Sequence, residues 1–117
     1  MSWIPRALGA LTAAYGLTTL ARPGVLTRPS GLGEPSTPVG ILVRAVGVRD
    51  IANGMAMALA PAGPAQQVAV GARIASDLGD ALTWALSQPD PAARRKTIGV
   101  ALGWAGLNAL GLLAARR

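Results

Sequence analysis

Long hydrophobic stretches make up most of the chain, and prolines mark their ends. None of the nine prolines falls within residues 39–60, 65–88 or 92–117. A proline inside a helix removes a backbone donor and clashes with the preceding turn, so proline-free stretches favour helices. The pattern therefore predicts an all-α fold within one domain, residues 1–117. The four predicted helices cover about residues 6–21, 39–60, 65–88 and 92–115.

The second, third and fourth stretches are long enough to cross a membrane. At ~1.5 Å per residue, about 20 helical residues span the ~30 Å hydrocarbon core of a bilayer. Residues 97–115 carry no charge and form the strongest transmembrane segment by hydropathy. Four residues, "PAGP" at 61–64, separate the second and third helices. So short a connection predicts an antiparallel hairpin of these two helices within a four-helix transmembrane bundle.

Three other features of the pattern bear on this prediction. A cleaved signal peptide is the alternative for residues 6–21, which begin with the basic residue Arg6; we expect a retained helix. A soluble, alanine-rich helical bundle is the alternative to the membrane bundle, and the uncharged residues 97–115 argue against it. Residues 22–38 are predicted to form an irregular loop, and Asp90 with Pro91 to begin the last helix.

The composition agrees with helices that pack closely in lipid. Hydrophobic residues make up 51% of the chain and charged residues 14%, below the roughly 25% usual in soluble domains. Abundant alanine and glycine allow helix backbones to approach one another. The chain contains neither Cys nor His, which excludes disulfides and the commonest haem and zinc ligands.

The net charge of +6 does not indicate nucleic-acid binding. Inside the hydrophobic stretches three arginines are balanced by three aspartates, so the positive excess lies at their ends, where lipid headgroups attract Lys and Arg. We therefore predict a lipid bilayer as partner and no nucleic acid. The first and third connections are more basic than the middle connection and the termini, which include Arg116 and Arg117. This weak bias favours cytoplasmic loops and leaves dual topology open.

Polar and charged side chains interrupt the second and third helices in their middle turns. On each helix the spacing places these side chains close together on the helix surface. An unpaired charge in the centre of a membrane helix costs roughly 2.5–3.5 kcal/mol on insertion scales, so we expect the charges to pair across the hairpin. The predicted buried polar cluster consists of Arg49, Asp50, Asn53, Arg73, Asp77 and Asp80.

Two interpretations of this cluster remain open. Arg49 is expected to pair with Asp77 or Asp80, and Arg73 with Asp77 or Asp50. As a functional site, the cluster would bind a small polar solute or move protons, with Asp77 and Asp80 as acceptors and Arg49 as counter-ion. As a structural element, an ion-pair network would fix the register of the hairpin.

Glycines recur at intervals of seven or four residues on the predicted helices. Such rows form surfaces on which another helix can approach closely. We expect them to serve the packing of the bundle itself, with a dimer interface as the alternative. The predicted helix-packing glycines are Gly40, Gly47, Gly54, Gly71, Gly79, Gly99 and Gly103.

Catalytic motifs are weak in this chain. The segment "DLGD" at 77–80 resembles the D-x-x-D motif of metal-dependent prenyl and phosphoalcohol transferases, but the remaining carboxylates of those enzymes are missing. No nucleophile–base pair, phosphate loop or Cys/His metal set is present in the sequence. We therefore expect no cofactor and no metal site, and a small metal-dependent membrane enzyme is the least favoured function.

Two short motifs resemble those of a protein family. They are G-x-R-D-x-x-x-G, formed by Gly47, Arg49, Asp50 and Gly54, and D-x-x-D-A, formed by Asp77, Asp80 and Ala81. In these motifs the chain resembles a family of small four-helix integral membrane proteins found in bacteria and fungi. The resemblance implies the four-helix topology over nearly the whole chain. It implies no activity, because none is established for that family.

The sequence thus predicts a multi-pass protein of the cell inner membrane. A solute- or proton-binding protein is the first functional hypothesis. An accessory subunit of a larger membrane complex is the second, and the chain could also form a homo-oligomer through its glycine-rich faces.

Overall fold

The structure, a computed structural model, describes residues 3–115 and is helical in all its regular elements. The all-α prediction is confirmed. The helices are α1 (Trp3–Ala21), α2 (Gly24–Thr27), α3 (Thr37–Leu59), α4 (Pro64–Ser87) and α5 (Pro91–Ala115). Arg116 and Arg117, counted above among the basic residues of the termini, lie outside the described residues.

The four long helices begin one to three residues before the predicted starts. Pro5, Pro38, Pro64 and Pro91 each lie in the first turn of their helix. Proline is tolerated there because the first backbone N–H groups of a helix have no intrahelical partner. The proline-free stretches therefore mark the helix interiors and omit the first turns. The predicted irregular loop at 22–38 contains the single turn α2.

Side-chain caps fix two of these starts. Ser36 Oγ accepts a hydrogen bond from the backbone N–H of Val39 at 3.4 Å, which caps α3. The Asp90 carboxylate accepts from the backbone N–H groups of Ala92 and Ala93 at 3.4 and 3.3 Å. Asp90 is therefore the cap of α5, as its position before Pro91 predicts.

Helices α1 and α3 pack backbone to backbone through glycines. A Cβ added at Gly16 would lie 2.6 Å from the carbonyl oxygen of Gly47, and one at Gly54 would overlap backbone atoms of Gly9 and Ala13. The early glycine of α1 thus faces the late glycine of α3, so the two helices are antiparallel. Such close approach is open only to residues without a side chain.

Helices α3 and α4 are also antiparallel, as predicted. Arg49 contacts Asp80, and Asn53 contacts Ser76, so residue numbers rise along one helix as they fall along the other. The prediction needs one correction, because the hairpin is not the closest packing in the molecule. Helix α3 packs mainly against α1, and α4 mainly against α5. The molecule therefore consists of two helix pairs, α1–α3 and α4–α5.

The two ends of the bundle differ. At the end that contains the α3–α4 turn, here called the turn end, the fully buried Met57 and Val70 pack with Leu8, Ile74 and Leu112. This small apolar core closes the space between the helix pairs. The opposite end, here called the loop end, contains the α1–α3 loop and the α4–α5 connection.

The predicted helix-packing glycines fall into two groups. Gly47 and Gly54 pack against α1, whereas Gly40 is buried without any atom close to where its Cβ would be. The others are exposed and face open space, which corrects the expectation of internal packing; they are Gly71, Gly79, Gly99 and Gly103. Gly9 and Gly16 of α1, which were not predicted from the sequence, take that role instead.

By length and composition, one helix of the described chain, α5, is long and apolar enough to cross a membrane. It contains the uncharged residues 97–115 that the sequence singled out. Helices α3 and α4 each carry three charged residues, which lowers their hydropathy. The all-α part of the prediction is therefore confirmed, whereas the four-helix transmembrane bundle is not, because α5 alone among the helices of residues 3–115 has the length and composition of a membrane span.

Replacing Gly54 by alanine tests the α1–α3 contact. The added methyl group would overlap the α1 backbone, so we expect the free energy of unfolding to fall by about 1–3 kcal/mol. Gly79→Ala is the matched control, because nothing lies within 4 Å of its Cβ position, and alanine there should be neutral or stabilising by roughly 0.5–1 kcal/mol. Equal stability of the two variants in a detergent unfolding titration would contradict this packing.

Candidate functional site

A cavity of about 540 Å³ lies between the two helix pairs. Its walls come from the middle of α1, the loop after α2, the first half of α3, the second half of α4 and the first half of α5. The apolar core of the turn end lies beyond it, so the cavity extends from the charged cluster toward the loop end. A volume of this size is in the range that holds one small molecule.

The floor of the cavity contains a bidentate ion pair between α3 and α4. Arg49 donates from Nη1 to Asp80 Oδ1 at 2.9 Å and from Nη2 to Asp80 Oδ2 at 2.8 Å. The same guanidinium donates from Nε and Nη2 to Asp50 Oδ1 at 3.4 and 3.2 Å. Arg49 therefore joins two carboxylates, and planar pairing of this kind fixes orientation as well as charge.

A second ion pair lies within α4. Arg73 Nε donates to Asp77 Oδ2 at 3.0 Å, and both side chains are more than nine-tenths buried. The i,i+4 spacing on one helix face makes this pairing local. The Arg73 guanidinium also lies over the Trp104 ring, 5.2 Å from its centroid, a cation–π distance that links α4 to α5.

Beside these ion pairs, Asn53 supports the contact between α3 and α4. Its Nδ2 donates to Ser76 Oγ at 3.1 Å, and Ser76 Oγ in turn donates to the carbonyl of Ala72 at 2.9 Å. The hydrogen bond lies one turn from the Arg49 ion pair and has the same antiparallel register. Ser76 was not among the predicted site residues.

The loop after α2 is held against α4 at the rim of the cavity. The Ser30 carbonyl accepts hydrogen bonds from Trp84 Nε1 at 3.1 Å and from Gln88 Nε2 at 2.9 Å. Farther out in the loop, Arg28 and Glu34 form an exposed ion pair at 3.0 Å. The hydrogen bond and charge of Arg28 hold the pKa of the Glu34 carboxyl below its usual value.

The structure brings the six predicted cluster residues to one region of α3 and α4. Arg49 pairs with Asp80 and Arg73 pairs with Asp77. In each case the partner is one of the two aspartates that the sequence left open for that arginine. Five of the six line the cavity, and Asn53 does not. Arg44, the remaining arginine of α3, lies elsewhere and donates to the carbonyl of Leu20 at 3.1 Å.

The aromatic lining of the cavity was not predicted from the sequence. Tyr15, Trp84 and Trp104 all contribute to its wall. Trp84 lies three residues before the end of α4, a position typical of a membrane-interface anchor, although helical spacing also places it on the same stripe as Asp77 and Asp80. Trp104 lies at mid-helix, where an aromatic side chain usually packs in a core.

No group of three or more acidic side chains in residues 3–115 is arranged to hold a metal ion. Asp77 and Asp80, the two carboxylates of the D-x-x-D segment, instead pair with arginines. Comparison with models of known protein families, with curated proteins and with solved structures finds no match. The family resemblance of the two short motifs therefore stays a prediction.

Removing the Arg49 side chain tests the ion pair on the cavity floor. Arg49→Ala would leave two carboxylates without their shared donor, and we expect the free energy of unfolding to fall by about 2–4 kcal/mol. Arg49→Lys should recover part of the lost stability, because lysine restores the positive charge but cannot form the bidentate ion pair.

The matched control is Arg44→Ala, an exposed arginine of the same helix with one backbone contact. Its expected cost is below about 1 kcal/mol. If thermal unfolding in detergent gave the same stability for Arg49→Ala and Arg44→Ala, the floor ion pair would not hold the helix pairs together.

Proposed function

We propose that this chain is a small multi-pass membrane protein that binds a small solute in the cavity between its helix pairs. The observation that supports this most is an inverted distribution of polarity. The buried faces of the helices carry glycine, alanine, threonine and charged residues, and the exposed faces carry large apolar side chains. Such a distribution suits lipid outside and a polar site inside.

Helix α4 illustrates the inversion. Its exposed positions include Val68, Leu78, Leu82 and Leu86, spread over its length. In water, apolar surface on this scale would favour association or aggregation. The same side chains are stable against lipid tails, where no such penalty arises. The exposed face of α4 is thus compatible with a bilayer although the helix carries three charges.

The buried face of α4 carries those charges. Arg73 and Asp77 are almost fully enclosed, and Asp80 is one-third exposed and bound to Arg49. A helix whose charges all point inward and are paired avoids most of the cost of placing them in hydrocarbon. The charges that lower its hydropathy thus do not exclude α4 from the bilayer.

The exposed apolar surface of helix α5 also favours a membrane location. Only 22% of its most apolar stretch is buried. The core helix of a soluble protein would be mostly buried, so the apolar surface of α5 needs another cover. The molecule is 43 Å in its longest dimension, close to the ~40–45 Å of a bilayer with its headgroups.

The cavity favours solute binding over an open channel. Met57 and Val70 close the turn end, so a solute could reach the charged floor from one side only. Basic residues surround the open end: Arg22, Arg28, Arg94, Arg95 and Lys96. By the positive-inside rule we propose that this end faces the cytoplasm.

An accessory subunit of a larger membrane complex is the second candidate. The exposed glycines Gly71 and Gly79 on α4, and Gly99 and Gly103 on α5, leave open surface where another helix could approach closely. Co-purification with a partner at fixed stoichiometry after gentle solubilisation would favour this candidate over a solute-binding protein.

Binding of a neutral probe tests whether the cavity receives a solute. We expect 2-phenylethanol to produce a saturable change in tryptophan fluorescence in lipid nanodiscs, because Trp84 and Trp104 line the cavity. Ala101→Phe should weaken this binding by about tenfold or more, since its side chain occupies cavity volume of about the size of the probe ring.

Gly103→Phe is the matched control, because Gly103 faces open space two residues further along α5. It should leave the affinity within about twofold. A purely linear fluorescence response in the unaltered protein would mean partition into lipid and would contradict solute binding in the cavity.

A further inference from the structure

The charges of the cavity floor do not balance. Arg49 and Arg73 face three aspartates, Asp50, Asp77 and Asp80, which leaves a formal charge of −1. The third arginine of α3, Arg44, cannot compensate, because it is exposed and donates to a backbone carbonyl of α1. A negative excess in a poorly solvated site attracts a positive charge strongly.

Two carboxylate oxygens on this floor lack a donor. Asp50 accepts hydrogen bonds through Oδ1, and Asp77 through Oδ2. Among residues 3–115, no group donates to Asp50 Oδ2 or to Asp77 Oδ1, and neither atom is sealed from open space. Both side chains are more than nine-tenths buried and line the cavity. These accessible carboxylate oxygens can accept charge-assisted hydrogen bonds from a ligand that supplies N–H groups.

The donors of Arg49 are already engaged by carboxylates, and the Arg73 guanidinium lies over the Trp104 ring. An anionic solute would therefore have to approach three aspartates, and of the two floor arginines only Arg73, whose Nε is bound to Asp77, keeps donors for it within the described residues. Lys96 also lines the cavity, but it lies at the exposed rim, where water screens its charge.

The walls above the floor are apolar and aromatic. They include Val43, Val46, Val100 and Ala101, with Tyr15 and Trp84 among the aromatic residues. Such a lining favours a ligand with a hydrocarbon body, and aromatic rings also tolerate a nearby cation.

We propose, on the basis of the solute-binding function above, that the ligand is a small organic cation with an apolar body. A primary or secondary ammonium group donates hydrogen bonds to Asp50 Oδ2 and Asp77 Oδ1, neutralises the floor, and leaves its hydrocarbon part against the walls. A neutral solute leaves the negative excess in place, and an anion increases it.

Three probes that share a phenyl ring and differ in charge test this proposal: 2-phenylethylammonium, 2-phenylethanol and 3-phenylpropionate. With the full chain in nanodiscs of uncharged lipid, we expect the ammonium to bind about tenfold or more tighter than the alcohol, since charge-assisted hydrogen bonds are the stronger kind. The carboxylate should bind more weakly than the alcohol.

Asp77→Asn removes the excess charge while its amide oxygen can still accept from Arg73. It should abolish the preference for the ammonium over the alcohol. Glu34→Gln is the control, because Glu34 is an exposed carboxylate outside the cavity; it should leave the preference within about twofold.

The comparison of probes in the unaltered protein remains decisive even if Asp77→Asn does not fold. Equal affinities for ammonium and alcohol would overturn the cation proposal and retain solute binding; a proton held on the floor would give this result. Loss of saturable binding for all three probes would instead contradict the proposed function itself.

Discussion

The ion pair between Arg49 and Asp80 is the interaction on which the arrangement of the helices depends. Each of the two helix pairs is held internally, α1–α3 by glycine contacts and α4–α5 by close packing. Between the pairs, the 2.8 and 2.9 Å hydrogen bonds of Arg49 and the Asn53–Ser76 contact bridge α3 and α4. Arg49 and Asp80, each about one-third exposed, neutralise each other, so separation of the helix pairs would leave both charges without a partner. The same ion pair forms part of the cavity floor.

This constraint produces a molecule with a polar interior and an apolar surface. Glycines allow α1 to approach α3 closely, while Arg49 and Asn53 of α3 reach α4 through their side chains. Because the α4–α5 pair is held at the distance set by side-chain ion pairing, space remains between the pairs above the floor. The apolar core around Met57 and Val70 closes that space at the turn end. A one-sided cavity thus follows from backbone packing within each pair and side-chain pairing between them.

The sequence predicts the helices and the cluster better than the cavity. Prolines define the helix interiors, and helical spacing brings the polar residues of α3 and α4 onto facing surfaces. The partner of Arg49 could not be predicted from spacing alone, because Asp77 and Asp80 lie on the same face of α4. In the structure Asp77 pairs with Arg73 of its own helix, and Asp80 pairs with Arg49. The cavity depends on which helices pack most closely, a long-range property that local patterns do not determine. The roles of Gly9 and Trp84 were missed for that reason, since each acts on an element distant in sequence.

Cysteine labelling along α4 tests the inverted polarity most directly, because the chain has no cysteine of its own. Ala62→Cys lies just before α4 and Ser87→Cys at its end, 24 helical residues apart, while Leu78→Cys lies between them on the exposed apolar face. In sealed vesicles, a membrane-impermeant maleimide should react with Ala62→Cys and Ser87→Cys from opposite sides and leave Leu78→Cys unmodified, because thiols in hydrocarbon remain unreactive. Rapid labelling of Leu78→Cys, together with labelling of both other sites from one side, would show that this face meets water and would contradict the account.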